Sequence, residues 1–172
     1  MGVNMRGLVG CLRGLTLFVA GIVVGTVMMQ PSAAQENNAT GLRLNHVGIA
    51  VMNLQETLNF YTKTMGFHVA YTTGRDGQPG NTFLQISRDT FLEVAQAGAN
   101  TPAGITHIGI GTEDADASVA RLRQASATVS DVRPGGPSGS RLSNVTDPNG
   151  IRLELNEQPA DSLMRKAINS WK

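Results

Sequence analysis

Only one cysteine, Cys11, occurs in the 172-residue chain, and it lies in the N-terminal segment set apart below. Disulfides, thiolate metal sites and cysteine nucleophiles are therefore excluded from everything after that segment. Charge of one sign is also missing, with 14 Lys plus Arg against 13 Asp plus Glu, and aromatics make up 5% of residues. With no basic stripe and no aromatic-basic interleaving to follow a phosphate backbone, the chain is not expected to bind nucleic acid. The glycine-rich stretch PGGPSGS at 134–140 lacks the Gly-Lys-Ser/Thr ending and following helix of a phosphate loop. It reads as a loop between strands and a rim of whatever site the chain builds.

Long hydrophobic runs are scarce too, and the one present is informative. Arg6 and Arg13 precede GLTLFVAGIVVGTVMM, and Pro31, Ser32, Ala33 and Ala34 follow it. This is the order of a secretory signal peptide over residues 1–34, with cleavage expected after Ala34 and a periplasmic or secreted destination. An uncleaved membrane anchor is the alternative, since the run of roughly 16 residues lies just under the usual spanning length. Only that alternative gives the protein a membrane contact. Taking Arg6 and Arg13 from fourteen cations leaves twelve against thirteen acids, so the exported part is near neutral. Residues 35–41, QENNATG, read as a flexible leader. Residues 42–158 then have the size of one ordinary domain, and 159–172 follow as a C-terminal helix.

Within the domain the chain writes one pattern twice. Residues 44–51 read LNHVGIAV and residues 105–112 read ITHIGIGT, with His46 and His107 separated by 61 positions. Each phrase alternates as a strand should. After the first, Asn53 and Glu56 make a capping box, Leu54, Leu58, Tyr61 and Met65 recur at helical spacing, and Gly66 sits at the C-cap. Strands are expected near 67–73, 82–87 and 90–96. The second copy repeats the order, with a helix from about Ala115 to Ala125 and strands near 128–132, 141–146 and 151–156, the last two joined by DPNG. The fold class is therefore α+β, two tandem βαβββ modules at 42–97 and 105–157. In the C-terminal helix Leu163, Ala167 and Trp171 form an apolar face, suited to packing on the body or on a second subunit.

The duplicated positions carry the chemistry. Strand alternation puts Val47, Ile49 and Val51 on one face and His46 on the other, beside Gly48 and Ala50; His107 stands likewise beside Gly109 and Gly111. In FLEVAQ and IRLELNE, Glu93 and Glu154 lie between aliphatic neighbours, and a buried unpaired carboxylate is costly. Each Glu follows its module's His by 47 residues. Two imidazoles and two carboxylates on small-residue faces suit a divalent ion such as nickel, zinc, cobalt, manganese or iron, provided the modules pair face to face. His68 has no counterpart in the second copy and reads as a surface residue.

LNHVGIAV, FYTKTMGF, FLEVA, ITHIGIG and TDPNGIRLEL together resemble the vicinal oxygen chelate superfamily, which includes glyoxalase I, bleomycin- and fosfomycin-resistance proteins, methylmalonyl-CoA epimerase and extradiol dioxygenases. The resemblance covers roughly 42–156. It implies a cupped mixed sheet around a divalent metal held by His46, Glu93, His107 and Glu154. This His/Glu/His/Glu set is similar to that of glyoxalase I, whereas epimerases often carry Gln at the position of Glu93 and dioxygenases use two His and one Glu. Glyoxalase-like members build the site from two subunits, so a homodimer is implied. A metal that polarises a carbonyl acidifies the adjacent C–H, and Glu93 or Glu154 would be the catalytic base.

The resulting expectation is an exported, metal-dependent, glyoxalase-like isomerase or lyase acting on a small oxygenated substrate through an enediolate. A non-catalytic binder of small molecules, of the antibiotic-resistance type, is the alternative, and an extradiol-type dioxygenase ranks below it. No basic cluster is set aside for a glutathione tail: Arg75, Arg88, Arg133, Arg141 and Arg152 read as solvated surface charges.

Overall fold

The computed structural model describes residues 40–74 and 80–172. The signal-peptide reading of 1–34, most of the leader and Arg75 lie outside the described residues. Strand β1 (Arg43–Val51) opens the first module. Asn53 then caps helix α1 (Leu54–Asn59) by accepting from the backbone N–H of Glu56 at 3.1 Å, and donates its amide to the Glu56 carboxylate. The helix runs directly into a π turn, Phe60–Thr64, in which the N–H of Met65 reaches back five residues to the Phe60 carbonyl. A π turn holds an extra residue, so the apolar stripe slips. Leu54, Leu58 and Tyr61 pack on the sheet as expected, but Met65 is thrown out and 51% exposed. Strands β2 (His68–Thr72), β3 (Thr82–Ser87) and β4 (Thr90–Gln96) complete the module.

The second module repeats this order with β5 (Gly104–Thr112), α2 (Ala115–Gln124), β7 (Arg141–Thr146) and β8 (Arg152–Glu157). Asp114 caps α2 by accepting from the N–H of Ala117 at 2.9 Å, and Arg121 and Arg123 in the last turn complement the helix dipole. The strand expected at 128–132 is not formed. A single bridge joins Val129 to Val145, and the pairing moves to a two-residue β6, Arg133–Pro134, against β7. Proline carries no N–H to extend a ladder, and an edge strand containing it stays short.

The eight strands form one sheet in the order β2-β3-β4-β1-β5-β8-β7-β6. Each module's first and last strands run parallel, β1 beside β4 and β5 beside β8, and the two modules join through antiparallel β1 and β5. The modules thus pair edge to edge within the one mixed sheet, and it is this pairing, not a face-to-face one, that brings the two histidines together. On one side of the sheet α1 covers Leu84, Leu92 and Val94, and α2 covers Val145 and Leu155.

Helix α3 (Leu163–Ser170) lies on the opposite side, the side of His46. Ser162 caps it by accepting from the N–H of Arg165 at 3.2 Å. Its buried face is Met164, Ala167 and Ile168, set against Phe83 and Phe91. Of the expected Leu163, Ala167 and Trp171 only Ala167 is in this core, and Trp171 is 37% exposed. The helix ends at Ser170, one residue before the tryptophan, so the stripe is carried by i, i+3 and i+4.

Candidate metal centre

At the centre of the sheet the register explains why each histidine is followed by a glycine. Gly48 of β1 faces His107 of β5, and Gly109 of β5 faces His46 of β1. A Cβ added at Gly48 would overlap the His107 ring at Cε1 and Nδ1, and one at Gly109 would overlap the His46 ring. Each module's histidine therefore lies over the other module's glycine, an arrangement open only to a residue without a side chain. Glu93 faces Gly48 across β4–β1, and Glu154 faces Gly109 across β5–β8. The duplicated residues form two adjacent cross-strand rows that meet in the middle.

All four side chains are buried, with exposures of 0% for His46, 9% for Glu93, 5% for His107 and 8% for Glu154. One donor atom from each lies within 4.8 Å of the others. The two Nε2 atoms are 2.9 Å apart, Glu93 Oε2 is 3.3 Å from His46 Nε2 and 3.2 Å from His107 Nε2, and Glu154 Oε1 is 3.7 and 3.9 Å from the same nitrogens. Metal bonds of about 2.0–2.2 Å place neighbouring ligand atoms about 2.8–3.6 Å apart in octahedral or tetrahedral shells. The distances among His46, His107 and Glu93 are of that size, and those to Glu154 lie just beyond it. Two imidazoles and two carboxylates without a thiolate match a borderline divalent ion. The donor set therefore fits the metal that the resemblance implies.

The surroundings distinguish the ligands. His46 Nδ1 is 2.8 Å from the Asn45 side-chain oxygen, which accepts its hydrogen and leaves Nε2 as the nitrogen that faces the centre. Burial opposes ionisation of Glu93, but hydrogen bonds from His107 and His46 outweigh it and hold the carboxyl at about 2. The Asn81 amide also donates to Glu93 Oε1. Glu154 is held less closely: it stands farther from both histidines, and its other oxygen has Arg152 Nη1 at 3.7 Å and Arg133 Nη2 at 3.8 Å.

His107 has competing neighbours at Nδ1, the Thr106 hydroxyl at 2.9 Å and Arg152 Nη2 at 2.7 Å. A guanidinium only donates, so Arg152 favours hydrogen on Nε2, whereas ligation there requires hydrogen on Nδ1. Metal binding at His107 thus calls for Arg152 to yield to the threonine oxygen.

A cavity of about 260 Å³ opens beside Glu93, His107 and Glu154, lined among others by Tyr71, Phe83, Leu142, Arg152, Asn156 and Met164. Gly135, Pro137, Ser138 and Ser140 line it too, so the glycine-rich loop is a rim of the site. Residues from β2 at one end of the sheet and from β7 and β8 near the other share this cavity. The sheet is curled around it.

The structure brings together His46, Glu93, His107 and Glu154 within a single chain. The argument for a homodimer from a site shared between subunits therefore does not carry over. His68 is exposed, near Trp171 and away from the centre. Arg152 is the main residue misread from sequence. It belongs to the cavity, and the signal was present, because Arg152, Glu154 and Asn156 alternate onto one face of β8. Arg141 instead pairs with Asp116 and Glu157. Tyr71 gave no such signal, since β2 carries a register irregularity between Val69 and Tyr71.

A family profile described as the glyoxalase/bleomycin resistance protein/dioxygenase superfamily matches residues 43–155. No curated protein sequence matches the chain. Among solved structures it is similar to a variant methylmalonyl-CoA epimerase from Streptomyces coelicolor in complex with 2-nitronate-propionyl-CoA. The identity is 29% and the TM-score 0.60, over 70% of this chain and 96% of that one. A methylmalonyl-CoA epimerase from Mycobacterium tuberculosis shares the fold at 23% identity and TM-score 0.59, over 67% and 87% of the two chains.

Proposed function

The chain belongs to the glyoxalase/bleomycin resistance protein/dioxygenase superfamily, and on that premise we propose that it is a metal-dependent isomerase or lyase. It moves a proton on the carbon next to a carbonyl of a small oxygenated substrate. The observation that carries this reading is the convergence of His46, Glu93, His107 and Glu154 on one point. These four residues would hold a divalent ion, which would supply Lewis-acid polarisation of a carbonyl and so acidify the adjacent C–H.

The protein's own groups then divide the work. His46, oriented by Asn45, and Glu93, held by two histidines and Asn81, are the fixed members. Glu154 is the base, because it is the less tightly engaged carboxylate and borders the cavity. Phe83, Leu142 and Met164 keep one wall apolar, while Arg152, with Arg133 behind Glu154, favours a substrate carrying an acidic group. Similarity to epimerases supports proton transfer as the reaction. The second carboxylate, Glu93, supports the glyoxalase-like form, since epimerases often carry Gln there.

Elemental analysis by plasma mass spectrometry, on protein purified without chelators or a His tag, is the test. We expect close to one divalent metal per chain, lost in a His46→Ala/His107→Ala control, together with solvent deuterium entering next to the carbonyl of an α-ketoaldehyde adduct or acyl thioester. Protein that holds no metal and takes up none on titration overturns the reading. Export and dimerisation remain part of the proposal, tested by N-terminal sequencing of the mature chain and by sedimentation.

One observation favours a second reading, a binding protein in which the metal is incidental: Arg152 stands against His107 in the way that opposes ligation. That reading expects ligand affinity to survive a chelator, and the enzyme reading expects it to be lost.

A further inference from the structure

Among the described residues, one buried side-chain oxygen or nitrogen has no hydrogen-bond partner, the hydroxyl of Tyr71. An unpaired buried hydroxyl costs stability, and phenylalanine would fill the same space without that cost. The ring is not free to turn elsewhere. It stacks on Phe83 with centroids 4.6 Å apart and planes 16° from parallel. Across the sheet Tyr71 faces Phe83 and Phe83 faces Glu93, so the three follow one another along a single row on the cavity side. Tyr71 lines the cavity together with Glu93, His107 and Glu154. Burial first, and then the carboxylates of Glu93 and Glu154, make the phenol a weaker acid than usual. It therefore keeps its hydrogen and offers one donor.

We propose that Tyr71 donates this hydrogen to an anionic oxygen of the ligand lodged beside Glu93 and Glu154, and so selects for ligands that carry a carboxylate or an enolate-like oxygen. The inference rests on the metal-centre reading above. It assigns Tyr71 a specificity-determining role rather than a ligand's role, because the four donor atoms converge without it. The missing partner of the hydroxyl is then supplied by the ligand.

The test uses the full chain and its Tyr71→Phe variant, loaded with cobalt(II) and titrated with oxalate, with visible absorption reporting coordination. Both proteins are expected to take up cobalt equally. The variant should bind oxalate about tenfold more weakly, the scale of one hydrogen bond to a charged acceptor. Without metal or oxalate, the variant should melt at the same temperature as wild type or a few degrees higher, having lost only an unpaired hydroxyl. Oxalate affinity within twofold of wild type overturns the role of Tyr71 and leaves the metal reading standing. A variant that loses cobalt, or melts several degrees lower without metal, shows a structural task for the hydroxyl and also overturns it. Wild type that takes up no cobalt overturns the metal reading and this inference together, and cobalt-loaded wild type that ignores oxalate overturns the inference alone.

Discussion

Gly48 and Gly109 set the distance between the two modules' histidines, because each ring occupies the space a Cβ would need. Gly48→Ala or Gly109→Ala should push a histidine off the centre. We expect a loss of about 1–3 kcal/mol in stability, in line with overpacking elsewhere, and a larger loss in metal content, read by denaturant titration and elemental analysis. Glu93 gives a pH signature. Its carboxyl is held at about 2 against an ordinary 4.5, with burial opposing and the two histidines prevailing. The ionised form thus stabilises the fold fully above about pH 4.5, and that contribution is lost as pH falls toward 2. For metal-free protein, urea titrations should show a shallower fall in stability between pH 4.5 and 2 in Glu93→Gln than in wild type.

At the scale of elements, the Asn53 cap was legible in the sequence, whereas the C-terminal helix, expected over 159–172, starts only after Ser162. Asn53, Asp114 and Ser162 each cap a helix through a side-chain oxygen bonded three residues on, as residues of these types do. Which side of a helix is buried depended on more than spacing. The π turn displaced Met65, and the end of α3 left Trp171 outside the helical stripe. Met164 took the buried place in α3, and its side chain both packs on Phe83 and Phe91 and walls the cavity. Met164→Ala should cost about 2–5 kcal/mol in a denaturant titration, as truncations in packed cores do. Metal content should stay at the wild-type level, since Met164 supplies no donor atom.

At the scale of the domain, the joining of β1 to β5 brings two half-clusters together into one candidate site. A single module has one histidine and one glutamate, too few to hold a divalent ion firmly. The antiparallel junction brings in the second pair in reversed order, which is why His46 sits over Gly109 and His107 over Gly48. Because both pairs belong to one chain, metal binding should not require association. Sedimentation across a dilution series, with metal measured in each fraction, should give a constant ratio near one metal per chain whether or not larger species dissociate. A ratio that falls as species separate would place part of the site on a second copy.

By itself the sequence determined the repeat, the α+β order of each module and which four residues the fold would gather as a candidate centre. Those features are written locally, in strand alternation, helix caps and an equal spacing of 47 residues between His and Glu in each copy. Tertiary structure alone decided that the modules join at their edges, that Arg152 stands against His107, and that the Tyr71 hydroxyl is left without a partner. Each of these depends on register between strands far apart in sequence, and on bulges that move a side chain from one face to the other. Periodicity along one strand cannot specify which residue of another will stand opposite.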